Sequence, residues 1–376
     1  MLKLIITTML FIISILEAKA TNYWKNYEII KQNISNKYNI DYGLDITYSL
    51  QNINNQTISR EFVIPYLKKE LYNNNLGKGK LNFSMNIVKF NHQLPIDVAK
   101  KEKMATLFNS YDTNYNELYE LYYEHLFGQK YNYLSFGLGQ IPISKFDSPI
   151  KSDLQTQYFL NSSLAQNTTF SYPTSGIGGY VSSNLNEYTS LILGAIDATN
   201  PLANGIHIKN LDKYKLSKFI AINYFHKLFG KYQSSYSLLL YDKPSVEKSP
   251  INSKGWSLYL AQDISDRYSM FFRINGSSGD YSLINKSYSL GFLFDNPFNR
   301  KNNDKLGFAY SINKPKEALF DNKIYHKYEH IIETYYDYKI DSHISIRPDI
   351  QLYINPSLEK NKNSKAIFSL SLSFNI

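Results

Sequence analysis

The sequence predicts an all-β protein, a 16-stranded antiparallel transmembrane β-barrel with a short N-terminal periplasmic helix. Three observations carry this. Bulky apolar and small polar residues alternate with period two in one stretch after another of the 376 residues. The connections between those stretches run alternately long and short, the rhythm of outer-membrane barrels. A leader at the start takes the chain out of the cytoplasm.

Residues 1–20 read MLKLIITTMLFIISILEAKA. Lys3 is the positive end, Leu4 to Leu16 the apolar core, and Ala18-Lys19-Ala20 a small-x-small cleavage site. The apolar run falls short of the roughly 20 residues that span a bilayer as a helix, so a cleaved signal peptide is expected. Residues 21–38 follow as a periplasmic helix, with Trp24, Tyr27, Ile29, Ile30 and Ile34 making it amphipathic over 22–37. The barrel then occupies 39–376.

The first strand, 39–51, sets Tyr42, Leu44, Ile46 and Tyr48 against Gly43, Asp45, Thr47 and Ser49. The second, 59–72, is the least regular and contains Pro65. The third, 79–91, opposes Phe83, Met85 and Ile87 to Asn82, Ser84 and Asn86. Further strands are expected at 116–127, 131–143, 174–184, 187–198, 215–226, 231–242 and 253–264. In 267–276, Met270, Phe272 and Ile274 oppose Ser269, Arg273 and Asn275, with Phe271 as an exception. Strands 285–296 and 304–313 alternate likewise. Strands 326–339 and 342–355 place Glu329, Glu333, Tyr335 and Asp337, then Arg347, Asp349 and Gln351, on the inner face. Pro348 fits there only at an unpaired ladder position. The last strand, 365–376, alternates Phe368, Leu370, Leu372 and Phe374 with Ser369, Ser371 and Ser373, a small polar face suited to a wet lumen. Sixteen strands leave about 22 residues for each strand and its connection, enough for tilted membrane strands. With the N-terminus periplasmic, the long connections 92–115, 144–173 and 199–214 are extracellular.

Composition narrows the function. The chain has no cysteine, which excludes disulfides, thiolate metal sites and cysteine nucleophiles. Its 41 Lys and Arg against 32 Asp and Glu give +9, spread along the chain rather than gathered in a nucleic-acid-binding tail. With 34 Tyr and 22 Phe, aromatics reach 15%, as expected of β structure with aromatic girdles. His326-Lys-Tyr-Glu-His330 matches the H-x-x-E-H motif of certain zinc peptidases. That chemistry needs a helix. In a strand the two histidines stand roughly 13 Å apart, and Glu329 points to the other face, so no metal is expected. Gly77-Lys-Gly-Lys80 reads as a hairpin turn rather than a phosphate loop.

Several segments resemble, in order, the carbohydrate-selective porin family of the OprB type. Tyr27 to Leu44 is similar to that family's pre-barrel helix and first strand. Glu117 to Gln140 is similar to the paired strands before its long third loop. Phe159 to Ser163, Tyr172-Pro173 and Leu193 to Asp197 follow, and Glu333 to Tyr336, Ile346 to Gln351 and Ile354 to Pro356 are the most specific. The resemblance implies passive sugar uptake through a barrel whose third loop, 144–173, folds inward as a constriction. Asp147, Lys151, Asp153, Gln157 and Tyr158 would line it. It also implies small carbohydrate solutes, outer-membrane lipids and the barrel-assembly machinery as partners, and no cofactor.

For the solute path, sugar hydroxyls want bidentate donors and carboxylate acceptors, and the apolar ring face wants an aromatic. Arg273, Glu329, Glu333, Tyr335, Arg347, Asp349 and Gln351 supply such groups on the inner face. The same residues would serve equally as cross-strand ion pairs holding the wall. A general porin, a barrel enzyme and an exported adhesin are the rival readings. The enzyme lacks a Ser-His or Asp-His pair at a defensible spacing. Lumen alternation also predicts that Arg347 is hydrated, so that Arg347→Ala leaves folding nearly intact.

Overall fold

The computed structural model describes residues 24–147, 158–200, 203–206, 215–247, 251–279, 282–320, 323–361 and 363–376. Helix α1 spans 24–38. Then follow β1 (Ile40–Ile53), β2 (Gln56–Asn74), β3 (Gly77–Asn91), helix α2 (Pro95–Lys101), β4 (Tyr115–Phe127), β5 (Leu134–Ile141), helix α3 (Ser162–Ala165), β6 (Gly176–Asn184) and β7 (Thr189–Asp197). The second half holds β8 (Leu216–Leu228), β9 (Tyr232–Lys243), β10 (Ser253–Asp263), β11 (Tyr268–Ser277), β12 (Ile284–Asp295), β13 (Lys305–Pro315), β14 (Glu329–Lys339), β15 (Ile344–Ile354) and β16 (Ser364–Asn375). Each strand pairs antiparallel with its neighbours in sequence, and β1 pairs with β16 to close the barrel. Closure leaves no open sheet edge, which is what a spanning sheet requires.

The alternation is the one the sequence dictates. On β12, Tyr288 and Phe292 point out and are well exposed, while Ser287, Ser289 and Leu293 point in and are buried. On β16, Phe368 and Leu370 are exposed and Ser369, Ser371 and Ser373 are buried. An apolar outer belt on a closed barrel calls for lipid as its solvent. Among the described residues no helix is long and apolar enough to cross a membrane.

Two prolines sit where the ladder is interrupted. On β2 the pairing with β3 runs through Val63↔Ile87 and resumes at Tyr66↔Ser84, skipping Pro65. On β15 the pairing with β14 skips from Tyr335↔Asp349 to Tyr338↔Ile346, leaving Pro348 out. A residue without an N–H is tolerated at such a gap. β2 is therefore a full strand despite its irregular pattern, and at 19 residues it is longer than expected.

The two ends differ. Short turns join β2 to β3 and β6 to β7, among others, at the end that also carries α1 and the C-terminus. There Trp24 of α1 stacks on His343 with centroids 4.3 Å apart, Glu28 Oε1 lies 3.0 Å from His343 Nε2, and the Leu44 and Ile376 backbones exchange two hydrogen bonds. The long connections 92–114 and 142–175 leave from the opposite end. One connection there is tight: Asn54 and Asn55, with φ of 45° and 66°, turn β1 directly into β2, since asparagine tolerates the left-handed region a two-residue hairpin needs.

The lumen near the long connections is not wet. Residues 92–114, 142–147 and 158–175 fold into it. Val98, Ala99, Met104 and Phe108 pack against Ile53, Ile58 and Phe62 on one side and Ile331, Tyr353 and Ile367 on the other. Ile143, Phe146 and Tyr172 pack against Tyr180, Ile192, Phe219 and Tyr241. Phe159 and Leu164 pack against Tyr259, Phe271, Leu293 and Tyr335. Two glycines make room for the last group. A Cβ at Gly291 would stand 2.1 Å from the Phe271 ring, and one at Gly307 2.2 Å from the Tyr335 ring. The small side chains of β1 and β16 are also dry. Ser49 and Ser371 hydroxyls bond at 2.8 Å, Thr47 and Ser373 at 3.1 Å, and the Gln51 amide donates to Ser369 at 3.3 Å. Their size suits a packed seam, where the alternation alone suggests a wet wall.

Candidate functional site

All seven inner-face residues singled out from the sequence point into the barrel, and each is at most 2% exposed: Arg273, Glu329, Glu333, Tyr335, Arg347, Asp349 and Gln351. For Glu329, Glu333, Tyr335, Arg347 and Gln351 the partners include the inward-folded connections. Glu329, at the head of β14, accepts from the backbone N–H of Ala105 at 3.1 Å, Thr106 at 2.8 Å and Ser357 at 2.8 Å. Glu333, two alternations further on with Ile331 between, accepts from the N–H of Leu160 at 2.6 Å and Asn161 at 3.0 Å. Two glutamates on one face of one strand thus hold two different connections.

β15 ties them together. Gln351 donates through Nε2 to Phe108 O at 3.1 Å and accepts at Oε1 from Asn161 Nδ2 at 3.0 Å. Tyr353 donates to Thr106 O at 3.2 Å and accepts from Asn161 Nδ2 at 2.6 Å. Asn161 can do this because its other oxygen role is local: its Oδ1 accepts from Ser163 N and caps α3. Arg347 donates to Tyr158 O at 2.7 Å and lies 5.6 Å from the Tyr335 ring centroid. Asp349 stands beside Glu333, Gln351 and Ser369. Arg273 does not join this group. It stands on β11, three strands from β14, with its guanidinium over the Tyr259 ring at 5.0 Å. Arg60 of β2 does come near Arg347 and donates to Asn109 Oδ1 at 2.8 Å. It sits on the irregular second strand, where alternation does not mark it as inward.

Of the residues expected in the constriction, Asp147 is buried and accepts from Asn167 Nδ2 and Tyr172 OH, both at 2.9 Å. Tyr158 is half-buried beneath Lys305, whose Nζ lies 5.0 Å from the ring. Lys151, Asp153 and Gln157 lie outside the described residues. Of the H-x-x-E-H motif, His330 faces outward to Tyr310, whose hydroxyl is 2.6 Å from Nδ1, while Glu329 faces in.

Arg347 is therefore not a hydrated wall residue, because Tyr158 and Tyr335 cover it. Arg347→Ala should weaken the seat of Tyr158 by about 1.5–3 kcal/mol, the range for a hydrogen bond from a charged donor. The readout is protease cleavage near Tyr158 in the folded barrel. A loop as resistant as the parent's would show that Arg347 contributes little to holding it.

Water reaches the inner wall elsewhere, on β2 to β4 toward the end with short turns. Lys68 is exposed, and Tyr66, Glu70, Lys78, Lys80, Glu120 and Glu124 are partly so. The register sets opposite charges side by side: Glu70 faces Lys80, and Lys80 faces Glu124. Lys78 is ion-paired to Glu70, and Ser84 donates to Glu120 at 3.2 Å. From the connection after β5, Lys145 leans onto this wall. Its Nζ lies 4.0 Å from Glu124 and 4.4 Å from the Tyr122 ring centroid. Tyr180 donates to Glu124 at 2.6 Å. Burial holds the Lys145 ammonium below the ordinary lysine range. Glu124 and Glu120 oppose that, and Lys68 and Lys80 add to it. The sequence signal for this wall is charge repeated on one face of three successive strands: Lys68 and Glu70, Lys78 and Lys80, two residues apart, and Glu120 and Glu124, four apart.

The chain is similar to known porins over most of its length. Residues 252–376 match the OprB family of carbohydrate-selective porins. Porin AaxA of Chlamydia abortus is 28% identical over 319 residues, 83% of this chain and 69% of its own length. Porin AaxA of Chlamydia felis is 29% identical over 315 residues, 83% and 70% respectively. The high-pH structure of Pseudomonas putida OprB superposes with a TM-score of 0.74 at 12% identity, covering 93% of this chain and 97% of that one. A mutant porin of Rh. blastica gives 0.54 at 10% identity, covering 90% and 100%.

Proposed function

We propose that this outer-membrane porin, whose residues 252–376 match the carbohydrate-selective OprB family, passes small neutral hydrophilic solutes, sugars foremost, along the wall of β2 to β4. One observation carries the choice of solute. Lysines and glutamates alternate on that wall beside Tyr66, Tyr122 and Tyr180, so no single sign of charge prevails there. Alternating charges offer both donors and acceptors to hydroxyls, and the partly exposed Tyr66 offers a ring face. Weak contacts of this kind let a solute enter and leave, as passive diffusion requires. In this reading Glu329, Glu333, Arg347, Asp349 and Gln351 set the width of the path by holding the two inward connections. Residues 1–20 act as a cleaved signal peptide, the long connections face outside, and the barrel-assembly machinery inserts the chain among outer-membrane lipids. The protein works as a channel, not an enzyme, and needs no cofactor.

Liposome swelling tests this. Neutral monosaccharides should enter severalfold faster than anionic or cationic sugar derivatives of the same size, and Lys80→Glu should turn that preference toward cationic derivatives. Equal rates for all solutes of one size, in parent and variant alike, would point to a general porin instead.

A further inference from the structure

The outer face of the barrel balances its charges at most heights. Glu61 on β2 is directly opposite Lys89 on β3, and Asp242 on β9 lies between Lys218 on β8 and Lys254 on β10. One place departs from this. Lys286 on β12 is directly opposite Lys314 on β13. Both point outward at the end with long connections. Among the described residues, no carboxylate lies within ion-pairing distance of either. Like charges in directly opposed cross-strand positions destabilise a sheet, unless an anion outside the chain lies between them.

The surroundings describe that anion. Beside Lys286, on β11, stands Gly276, and beyond Gly276, on β10, stands Trp256. The indole Nε1 lies 3.3 Å from where a Cβ of Gly276 would be. Trp256 thus leans over the glycine toward Lys286, its N–H edge available as a donor. Immediately below the lysine pair the ladder turns apolar, with Tyr288 39% exposed beside Ile312. Two ammonium groups and an indole N–H above a strip of aromatic and aliphatic side chains match an amphiphile with a phosphate at its head and acyl chains beneath. This height on a barrel is where lipid headgroups lie.

We infer that Trp256, Lys286 and Lys314 form a binding site for the phosphate of an outer-leaflet lipid whose acyl chains run down the apolar rungs below. The inference rests on the reading that the long connections face outside. The test uses the full barrel in detergent, with diphosphorylated lipid A as the probe in native mass spectrometry and inorganic phosphate as the free-anion arm. In Lys286→Gln/Lys314→Gln, lipid A should bind on the order of thirtyfold more weakly, from the usual contribution of a lysine near an anionic lipid surface. The control Lys227→Gln/Lys301→Gln, at the other end, should bind as the parent does. Unchanged binding in the first variant, an equal loss in the control, or inorganic phosphate bound as tightly as lipid A would each overturn the site. Sugar permeation in the first variant should match the parent's, so loss of the lipid site and failure of the solute reading give separate results.

Discussion

Glu333→Ala should widen the path and raise single-channel conductance while leaving the barrel closed. Glu333 is wholly buried, and its two oxygens accept the N–H groups of Leu160 and Asn161. Alanine leaves both donors facing a dry wall, at a cost of about 1–3 kcal/mol each. The β14 ladder does not depend on the side chain, since its pairing with β13 and β15 is between backbones. The relief available is for residues 158–165 to leave the wall and meet water, which clears space in the lumen. Planar-bilayer recordings should show larger unitary steps and weaker block by sugars. Glu333→Gln keeps one acceptor and should fall between the two. Parental conductance in the alanine variant would mean that other contacts suffice to hold the segment.

Phe159→Ala should have a comparable energetic effect on the same segment. The ring is fully buried, with centroids 5.1 Å from Tyr335 and 5.8 Å from Phe271. Removing a buried phenyl ring from such a seat costs about 3–5 kcal/mol. Tyr335 and Phe271 cannot close the gap, because they already lie tight over Gly307 and Gly291. The loss falls on docking of the segment, not on the strand ladders. Protease should cut at 158–173 in the folded variant, and the heat-resistant mobility of the folded barrel should persist. A barrel that unfolds at markedly lower temperature with the segment still protected would place Phe159 in the barrel's own stability instead.

The strands were legible because lipid imposes a strict period of two, which shows as Phe, Leu and Ile alternating with Ser in β16 and as Ile and Leu alternating with Arg, Asp and Gln in β15. The prolines misled only locally, since a missing N–H matters to one ladder and not to the pattern of faces. What could not be read was the state of the lumen. Alternation says that Arg347 and Glu333 face inward, and both do. It says nothing about whether water or another part of the chain meets them there. The segment 92–114 gave no signal of entering the barrel, because Val98, Met104 and Phe108 carry no period against the wall they pack on. The expectation of an inward connection came for 144–173 alone, from resemblance. The water-exposed wall was missed for the opposite reason. Lys68, Lys80 and Glu124 look like ordinary solvated charges until the register sets them side by side.

The contacts that fill the lumen span long stretches of chain. Ala105 reaches Glu329 across 224 positions, and Leu160 reaches Glu333 across 173. Gln351, which touches both connections, comes later still. When the first half of the barrel forms, its inward connections have no glutamates to dock on, and contacts between distant positions form late. The inner plug is thus completed only once β14 and β15 are in place, close to the moment when β16 meets β1. A barrel halted before that point would be the leakier form of the protein. Damage to the last strands would then harm the cell through an unregulated hole as well as through lost uptake.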